Sequence, residues 1–411
     1  MKADNEYCDG EHFENHWGDM LTFVYILFWA TLFLLFYSYF LYPLILYLIV
    51  KLRGNGHRIT LSDNYFPPLT LIISAYNEEQ VIDKKLKNSV ELSYPAEKYE
   101  ILVVSDASDD NTDKIINEWT KRDSRIRLLR QPRRYGKSLG LNRAVAEARG
   151  EVVVFSDANA IYEQNALQEL VKYFGDERVG YVVGKALYYD SSENAAVENE
   201  SLYWRYETML KELESQFHSV CVGDGAIYAI RRSLYQNLEA DDIGDFANPL
   251  IIASKGYLGL FNNRAICYEN AAGDFDKEFS RKRRIVNRSY RSFKKYIKLF
   301  TFRRNFKFIF ELFSHKILRW FNWLLIGMLF VSNLFIVLFS PSFFYNAFMV
   351  VQSGFVLLSI IGAFFARENE NLPIWLYFPY YFTTSHFAAL FGLIDNLRGI
   401  KYVTWEHVRE S

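Results

Sequence analysis

Oxygen-bearing side chains at the ends of apolar runs are the first features of this chain that could do chemistry. The run EVVVF stops on SDANA, so Asp157 and Asn159 stand where a buried strand should end. A hydrophobic strand that delivers such groups at its carboxyl end is how an open α/β sheet builds a ligand site. A hard cation, Mg²⁺ or Mn²⁺, accepts both a carboxylate and an amide oxygen. An Asx-rich turn opening a helix would use the same residues, so the other strand ends have to decide. SAYNEE, 74–79, closes one strand on Ala75, Asn77 and Glu78, which would equally suit a capped helix N-terminus. VVSDASDDNTD, 103–113, closes another on Asp106. RRYGKSLGLNRA, 133–144, sets a glycine turn and Lys137 before a helix, an arrangement useful for phosphate.

Two later stretches add a pair of glycines around an acid and a cluster of acids. In VGDGAIYAIRR, 222–232, Gly223 and Gly225 flank Asp224 and let a ligand approach the backbone closely, although a tight turn needs the same residues. EADDIGDFANPLIIASKGY, 239–257, offers Asp241, Asp242 and Asp245 as candidate general bases.

These residues need elements to hold them. Between about 68 and 275, LTLIISAY, YEILVVSD, IRLLRQP and EVVVFSD read as strands. NEEQVIDKKLKNSV, NTDKIINEWTKR and GKSLGLNRAVAEA read as the helices between them. This alternation predicts an α/β domain with a mostly parallel sheet and binding residues at the strands' carboxyl ends.

The apolar residues are concentrated at the two ends of the chain. Half of the 411 residues are hydrophobic, yet the mean hydropathy is only -0.07. Residues 21–50 run without a charge for longer than a bilayer core requires. The acids before them, Asp4 to Asp19, argue against a cleaved signal peptide. KLRGNGHR after them places residue 51 onward in the cytoplasm. Residues 281–307 carry twelve Lys or Arg among aromatic and aliphatic residues. With membrane following, they read as interfacial helices on anionic headgroups rather than a nucleic-acid surface. Apolar runs then occupy 317–339, 342–365 and 374–394, the third being the weakest. If all three cross, the acidic loop RENENL lies inside and the basic tail outside, against the positive-inside tendency, so the third segment reads equally as re-entrant or interfacial. A net charge of -1 gives no sign of nucleic-acid binding. Cys8, Cys221 and Cys267 have no metal or redox spacing.

In order and spacing, these motifs resemble the family 2 glycosyltransferases of the nucleotide-diphospho-sugar transferase (GT-A) fold, over residues 68 to about 290. The nearest type is the membrane-embedded polysaccharide synthase: cellulose, poly-N-acetylglucosamine or hyaluronan. The resemblance implies a nucleotide-sugar site at Ala75, Asn77, Glu78, Asp106, Lys137 and Asp157. It implies a metal clamp, the family's D-x-D, at Asp157 and Asn159, with Asn in place of the second acid. Gly223, Asp224 and Gly225 match the acceptor segment. D-F-x-x-P-L followed by G-Y selects Asp245 as the base over Asp241 and Asp242, with Gly244 where an acid commonly stands. The Q-x-x-R-W of many such synthases is missing its Gln and Trp, while Arg281, Arg284 and Arg288 fall in that region. Arg281 and Arg284 would serve the pyrophosphate, but no tryptophan there can stack on an acceptor sugar.

The implied activity is inverting transfer from a nucleotide sugar, UDP-linked, to a growing cell-surface or exported polysaccharide. One rival is single-sugar transfer to a polyprenyl-phosphate or lipid acceptor; another is a non-catalytic scaffold with a degenerate transferase domain. Partners are the donor, a saccharide or lipid-linked acceptor, membrane lipids, and export subunits or a homo-oligomer. The expected organisation is an extracytoplasmic N-terminus (1–20), a membrane helix (21–50), a linker (51–67) and the transferase domain (68–280). Basic interfacial helices (281–312), a membrane region of two or three helices (313–398) and a tail (399–411) follow. The domain would face the cytoplasm from the plasma membrane.

Overall fold

The computed structural model describes residues 6–54, 59–189, 195–270, 275–366 and 372–404. The expectations for residues 1–5, for 55–58 of the linker, for the loop at 367–371 and for the tail at 405–411 lie outside the described residues.

Apolar residues on alternating positions build one sheet with a core on each face. The strands are β1 (Leu69–Ala75), β2 (Tyr99–Ser105), β3 (Ile126–Arg130), β4 (Val152–Asp157), β5 (Ile161–Tyr162), β6 (Val179–Tyr189), β7 (Tyr228–Arg231) and β8 (Leu258–Asn270). They run in the order β3-β2-β1-β4-β7-β6-β8-β5. β1, β2, β3 and β4 are mutually parallel, and β7 enters antiparallel to both β4 and β6. Leu71 and Ile73 of β1, Ile101 and Val103 of β2, and Val152 and Val154 of β4 fill one core. Ile72, Leu102, Val104, Val153 and Phe155 fill the other. The two-residue period therefore shows as two buried faces, which is what a fully covered sheet requires.

The parallel strands end level. Ala75 pairs with Ser105, and Ser74 with Asp157, so residues just beyond these strands converge on one edge. The helix that follows β1 begins at Ile82, not at residue 77 as its composition predicts. Asn77 takes a left-handed φ of 53°, and the following amides bond to the neighbouring loop instead of to a helix. The amide of Asn77 donates to Ser108 Oγ at 3.1 Å, Glu78 to Thr112 Oγ1 at 2.7 Å and Glu79 to Asp110 Oδ2 at 3.1 Å.

A third core joins the domain to the C-terminal helices. Phe246 and Leu250, on the helix Gly244–Ser254, pack with Phe308, Leu312, Trp320 and Leu393. The basic helix Phe275–Tyr296 differs from its headgroup-binding reading. Arg283 pairs with Asp395 at 2.5 Å, Lys295 with Asp242 at 3.0 Å and Arg291 with Asp241 at 3.6 Å, while Arg288 is buried. These four cations face protein. Among the described residues, three helices are long and apolar enough to cross a membrane: Trp17–Arg53, Asn322–Phe339 and Phe343–Phe365. The third apolar run forms the helix Ile374–Leu397, which is not among them. It contains Pro379 and docks on the basic helix through the Arg283–Asp395 pair, with Asn287 Nδ2 donating to Gly392 O at 3.2 Å.

Close backbone approach also joins the two longest strands. A Cβ on Gly259 of β8 would sit 1.8 Å from the Tyr181 ring of β6, and Tyr181 is fully buried. Gly259→Ala should therefore lower stability by roughly 1–3 kcal/mol, the usual cost of overpacking. A depressed thermal midpoint checks this, and an unchanged one would show that Tyr181 has room to move.

Candidate active site

The level strand ends open onto a cavity of about 1450 Å³. Its lining includes Asn77, Glu78, Lys137, Asp157, Asn159, Gly223, Asp224, Gly225, Asp245, Arg281 and Arg284. Ala75 and Asp106 are buried and do not line it.

Asp106 instead shapes the glycine turn. Its carboxylate accepts hydrogen bonds from Gln131 Nε2 at 2.6 Å, the Tyr135 amide at 2.8 Å and the Gly136 amide at 3.0 Å. Gly136 has a φ of 91°, and a Cβ there would lie 2.5 Å from the Val403 carbonyl oxygen, so both backbone angle and space demand glycine. The turn aims Lys137, first residue of the helix Lys137–Glu147, at β4. Its ammonium is ion-paired with the Asp157 carboxylate. Burial pushes the Lys137 amine down, but Asp157, with Asp245 and Glu269, more than offsets this and the net shift is upward.

Behind the clamp, Lys85 is fully buried. It donates to the Ala160 carbonyl at 2.5 Å and lies 4.1 Å over the Tyr162 ring, fixing the backbone just after Asp157-Ala158-Asn159. Burial lowers its amine to about 7.

Gly225 marks the point where Asp245, Asp157 and Lys137 meet. A Cβ there would lie 3.4 Å from Asp245 Oδ2, 3.7 Å from Asp157 Oδ2 and 3.7 Å from Lys137 Nζ. The Gly223 amide donates to the Asp245 carbonyl at 2.6 Å, so the glycine segment and the segment carrying Asp245 are tied directly. Burial pushes the Asp245 carboxyl up to about 6; Lys137 pulls it down, while Asp224 and Asp157 raise it. A carboxylate in this range is basic enough to take a proton near neutrality.

The rival acids point elsewhere. Asp242 is buried and accepts from Ser292 Oγ at 3.0 Å, Tyr296 OH at 2.6 Å and Lys295 Nζ at 3.0 Å. Its carbonyl accepts from Ser138 Oγ at 2.7 Å and from the Arg288 guanidinium. Asp241 faces Arg291 and Lys401. Neither lines the cavity. Arg281 forms a two-point pair with Glu278 at 2.7 and 2.9 Å.

Other lining residues were not singled out by the sequence. Glu269 lies near the end of β8 and Lys211 on the helix Ala195–Phe217. Glu269 alone was detectable in principle, as an acid inside a long strand. The lining also includes Tyr39 and Phe40 of the apolar helix Trp17–Arg53 and Tyr377, Phe378 and Tyr381 of the helix Ile374–Leu397.

Asp242→Ala would orphan Ser292 and Tyr296, and should cost roughly 1–3 kcal/mol of stability. Thermal unfolding in detergent reads this; a silent Asp242→Ala would remove its role as an anchor.

Comparison with known proteins fits this geometry. Residues 70–238 match the family model described as glycosyl transferase family 2. A probable glycosyltransferase of Bacillus subtilis, YdaM, is 27% identical over 386 residues, 85% of this chain and 90% of that protein. A poly-β-1,6-N-acetyl-D-glucosamine synthase of Staphylococcus aureus is 32% identical over 117 residues, 28% of each chain. A β-monoglucosyldiacylglycerol synthase of Nostoc is 33% identical over 130 residues, 31% of this chain and 28% of that one. Among solved structures, a mannosyltransferase from Pyrobaculum calidifontis in complex with GDP-Man and Mn²⁺ superposes with a TM-score of 0.69. It is 22% identical, over 90% of this chain and 99% of that one, and it shows the fold to be GT-A. Residues 70–238, with a sheet that ends level beside Lys137 and Asp157, form a family 2 glycosyl transferase domain, and the chain is a glycosyltransferase.

Proposed function

We propose that the chain is a membrane-embedded, inverting, metal-dependent transferase. It moves a sugar from a UDP-linked donor to a growing cell-surface or exported saccharide. The observation that supports this best is the meeting of Asp245, Asp157 and Lys137 around Gly225, inside a cavity walled partly by membrane helices.

The chemistry follows from those groups. An acceptor hydroxyl attacks the anomeric carbon while Asp245 takes its proton. The nucleoside diphosphate leaves from the opposite side of that carbon, which inverts its configuration. Lys137 and Arg284 supply positive charge for the diphosphate, and the adjacent helix N-terminus adds backbone N–H groups. The donor set fits a hard cation: Asp157 and Asn159 present oxygens to the cavity, and Asp157 already holds a cationic ammonium. Among the described residues no three His, Cys, Asp or Glu side chains group as a metal site, so diphosphate and water would complete the shell of Mg²⁺ or Mn²⁺. A bound ion would stabilise the charge that develops on the departing diphosphate. The mannosyltransferase that shares the fold was solved with Mn²⁺.

One observation favours a second reading, transfer of a single sugar to a lipid acceptor: Phe40 and Phe378 give the cavity an apolar end. Relatives of both kinds exist, a polysaccharide synthase and a glycolipid synthase. Product mass separates the two, since a ladder of sugar additions supports the polymer and a single addition the glycolipid. The three candidate spans among the described residues are few for a closed conduit, so an exported polymer would need export subunits or further copies of the chain.

The primary test is nucleoside diphosphate release by the purified chain from a panel of nucleotide sugars with Mn²⁺ or Mg²⁺. Asp157→Ala should abolish metal-dependent turnover, while Asn159→Asp should retain it and tighten metal binding; full activity in EDTA would exclude the metal role. Asp245→Asn should fold and bind nucleotide yet lose about 10²-fold or more in turnover. A loss proportional to lost stability would instead make Asp245 structural.

The proposed site lies on the cytoplasmic side of the plasma membrane. Glu118 is half-exposed on the helix Thr112–Arg122. In a chain lacking Cys8, Glu118→Cys should react with an impermeant maleimide only after the cells are permeabilised, and labelling of intact cells would invert the orientation.

A further inference from the structure

The base and the clamp account for one end of the cavity, but a second group of lining residues has no part in that chemistry. Tyr188 of β6 and Trp204 of the helix Ala195–Phe217 stack with ring centroids 4.6 Å apart and planes 31° apart. Both rings line the cavity and are only half-buried. Tyr188 is in register with Glu269 on the adjacent strand β8, so its ring and the Glu269 carboxylate leave the sheet side by side on one face. Glu269 lines the cavity although only 3% exposed. Lys211 lies seven residues after Trp204, on the same side of the helix. Its ammonium is 3.5 Å from the Asp224 carboxylate, and each of these side chains is 12% exposed. Asp224 immediately precedes Gly225, where Asp245, Asp157 and Lys137 meet. An aromatic platform, two carboxylates and an ammonium therefore lead up to the reaction point.

We infer that Tyr188, Trp204, Glu269, Lys211 and Asp224 form a subsite for the terminal sugar of a saccharide acceptor. The inference rests on the transferase reading above and adds the acceptor's class to it. A sugar ring has a face of C–H groups and an edge of hydroxyls. The stacked rings match the face, while Glu269, Asp224 and Lys211 match the hydroxyls with acceptors and donors. A hydrocarbon chain would offer these polar groups no hydrogen bond in place of the water it displaced. A lipid phosphate would meet like charge at Glu269 and Asp224. The tryptophan missing from the basic helix is thus supplied by a different element, the helix Ala195–Phe217. A site built to hydrogen-bond hydroxyls also rejects analogues that lack them, which gives the subsite a part in acceptor choice.

The test is calorimetric titration of the full chain in lipid nanodiscs, free of sugar-headed detergents. The probes are tetrasaccharides of β-1,4-glucose, β-1,4- and β-1,6-N-acetylglucosamine and mannose. At least one tetrasaccharide should bind the wild type, and Trp204→Ala should weaken it about tenfold or more, the scale set by aromatic contacts. Trp204→Phe should recover most of the loss. If Trp204→Ala does not fold, by thermal midpoint, Glu269→Gln replaces it and should weaken the same probe. Trp119→Phe, on the far side of the domain, serves as the control that leaves binding unchanged. Wild type that binds no tetrasaccharide up to about ten millimolar, or binding untouched by both Trp204→Ala and Glu269→Gln, overturns the subsite. Nucleoside diphosphate release on the same preparation separates the two levels. Release without tetrasaccharide binding defeats the subsite and leaves the transferase reading standing. Tetrasaccharide binding that Trp204→Ala weakens, without release from any nucleotide sugar, defeats the transferase reading alone.

Discussion

The burial of one carboxylate organises much of this protein. Asp242 cannot sit inside without partners, because a charge taken out of water must be paired and hydrogen-bonded. Ser292, Lys295 and Tyr296 supply those partners from one helix, and the Asp242 carbonyl accepts from Ser138 and Arg288. Ser138 follows Lys137 at the start of the helix beyond the glycine turn, and Asp245 is three residues after Asp242. One hub therefore sets the distance between the donor side of the cavity, the acid proposed as base and the helix that docks on the membrane region. The two acids that compete with Asp245 in the sequence are held away from the cavity by this arrangement, which leaves Asp245 facing it.

The strand ends were legible because their signal is local. A short apolar run that stops on an acid reads the same before and after folding, and β1, β2 and β4 lie where their composition places them. Asn77 was legible as a strand end but not as a left-handed residue. Its amide and those after it bond to a loop some thirty residues away, and no local pattern encodes that. The basic helix shows the same limit on a larger scale. Cations that would sit on anionic headgroups and cations that meet Asp395, Asp241 and Asp242 have the same composition. Only the fold says which carboxylates are near.

Asp106 separates a motif from its use. Its position at the end of a strand marks a binding edge, yet its carboxylate is committed to Gln131, Tyr135 and Gly136. It shapes the loop that presents Lys137, whereas the residues that line the cavity near it come from Asn77, Glu78 and Asp110. The membrane wall divides in a similar way. Two C-terminal helices have the length and apolarity of spans, while the third is held to the catalytic domain by a salt bridge and borders the cavity. Transferase domain and membrane region thus share a surface, and neither is an appendage of the other.

The contact between Gly136 and Val403 has a practical side. The carbonyl of Val403 occupies the place where a side chain at position 136 would begin, and nearby Lys401 reaches Asp241 while Tyr402 reaches Asp395. A chain trimmed just after the helix Ile374–Leu397, as is often done to obtain well-behaved crystals, would keep every residue of the cavity and still strip the support from the turn that carries Lys137. Such a truncation could look like an enzyme with the wrong donor when its real defect is a loosened loop.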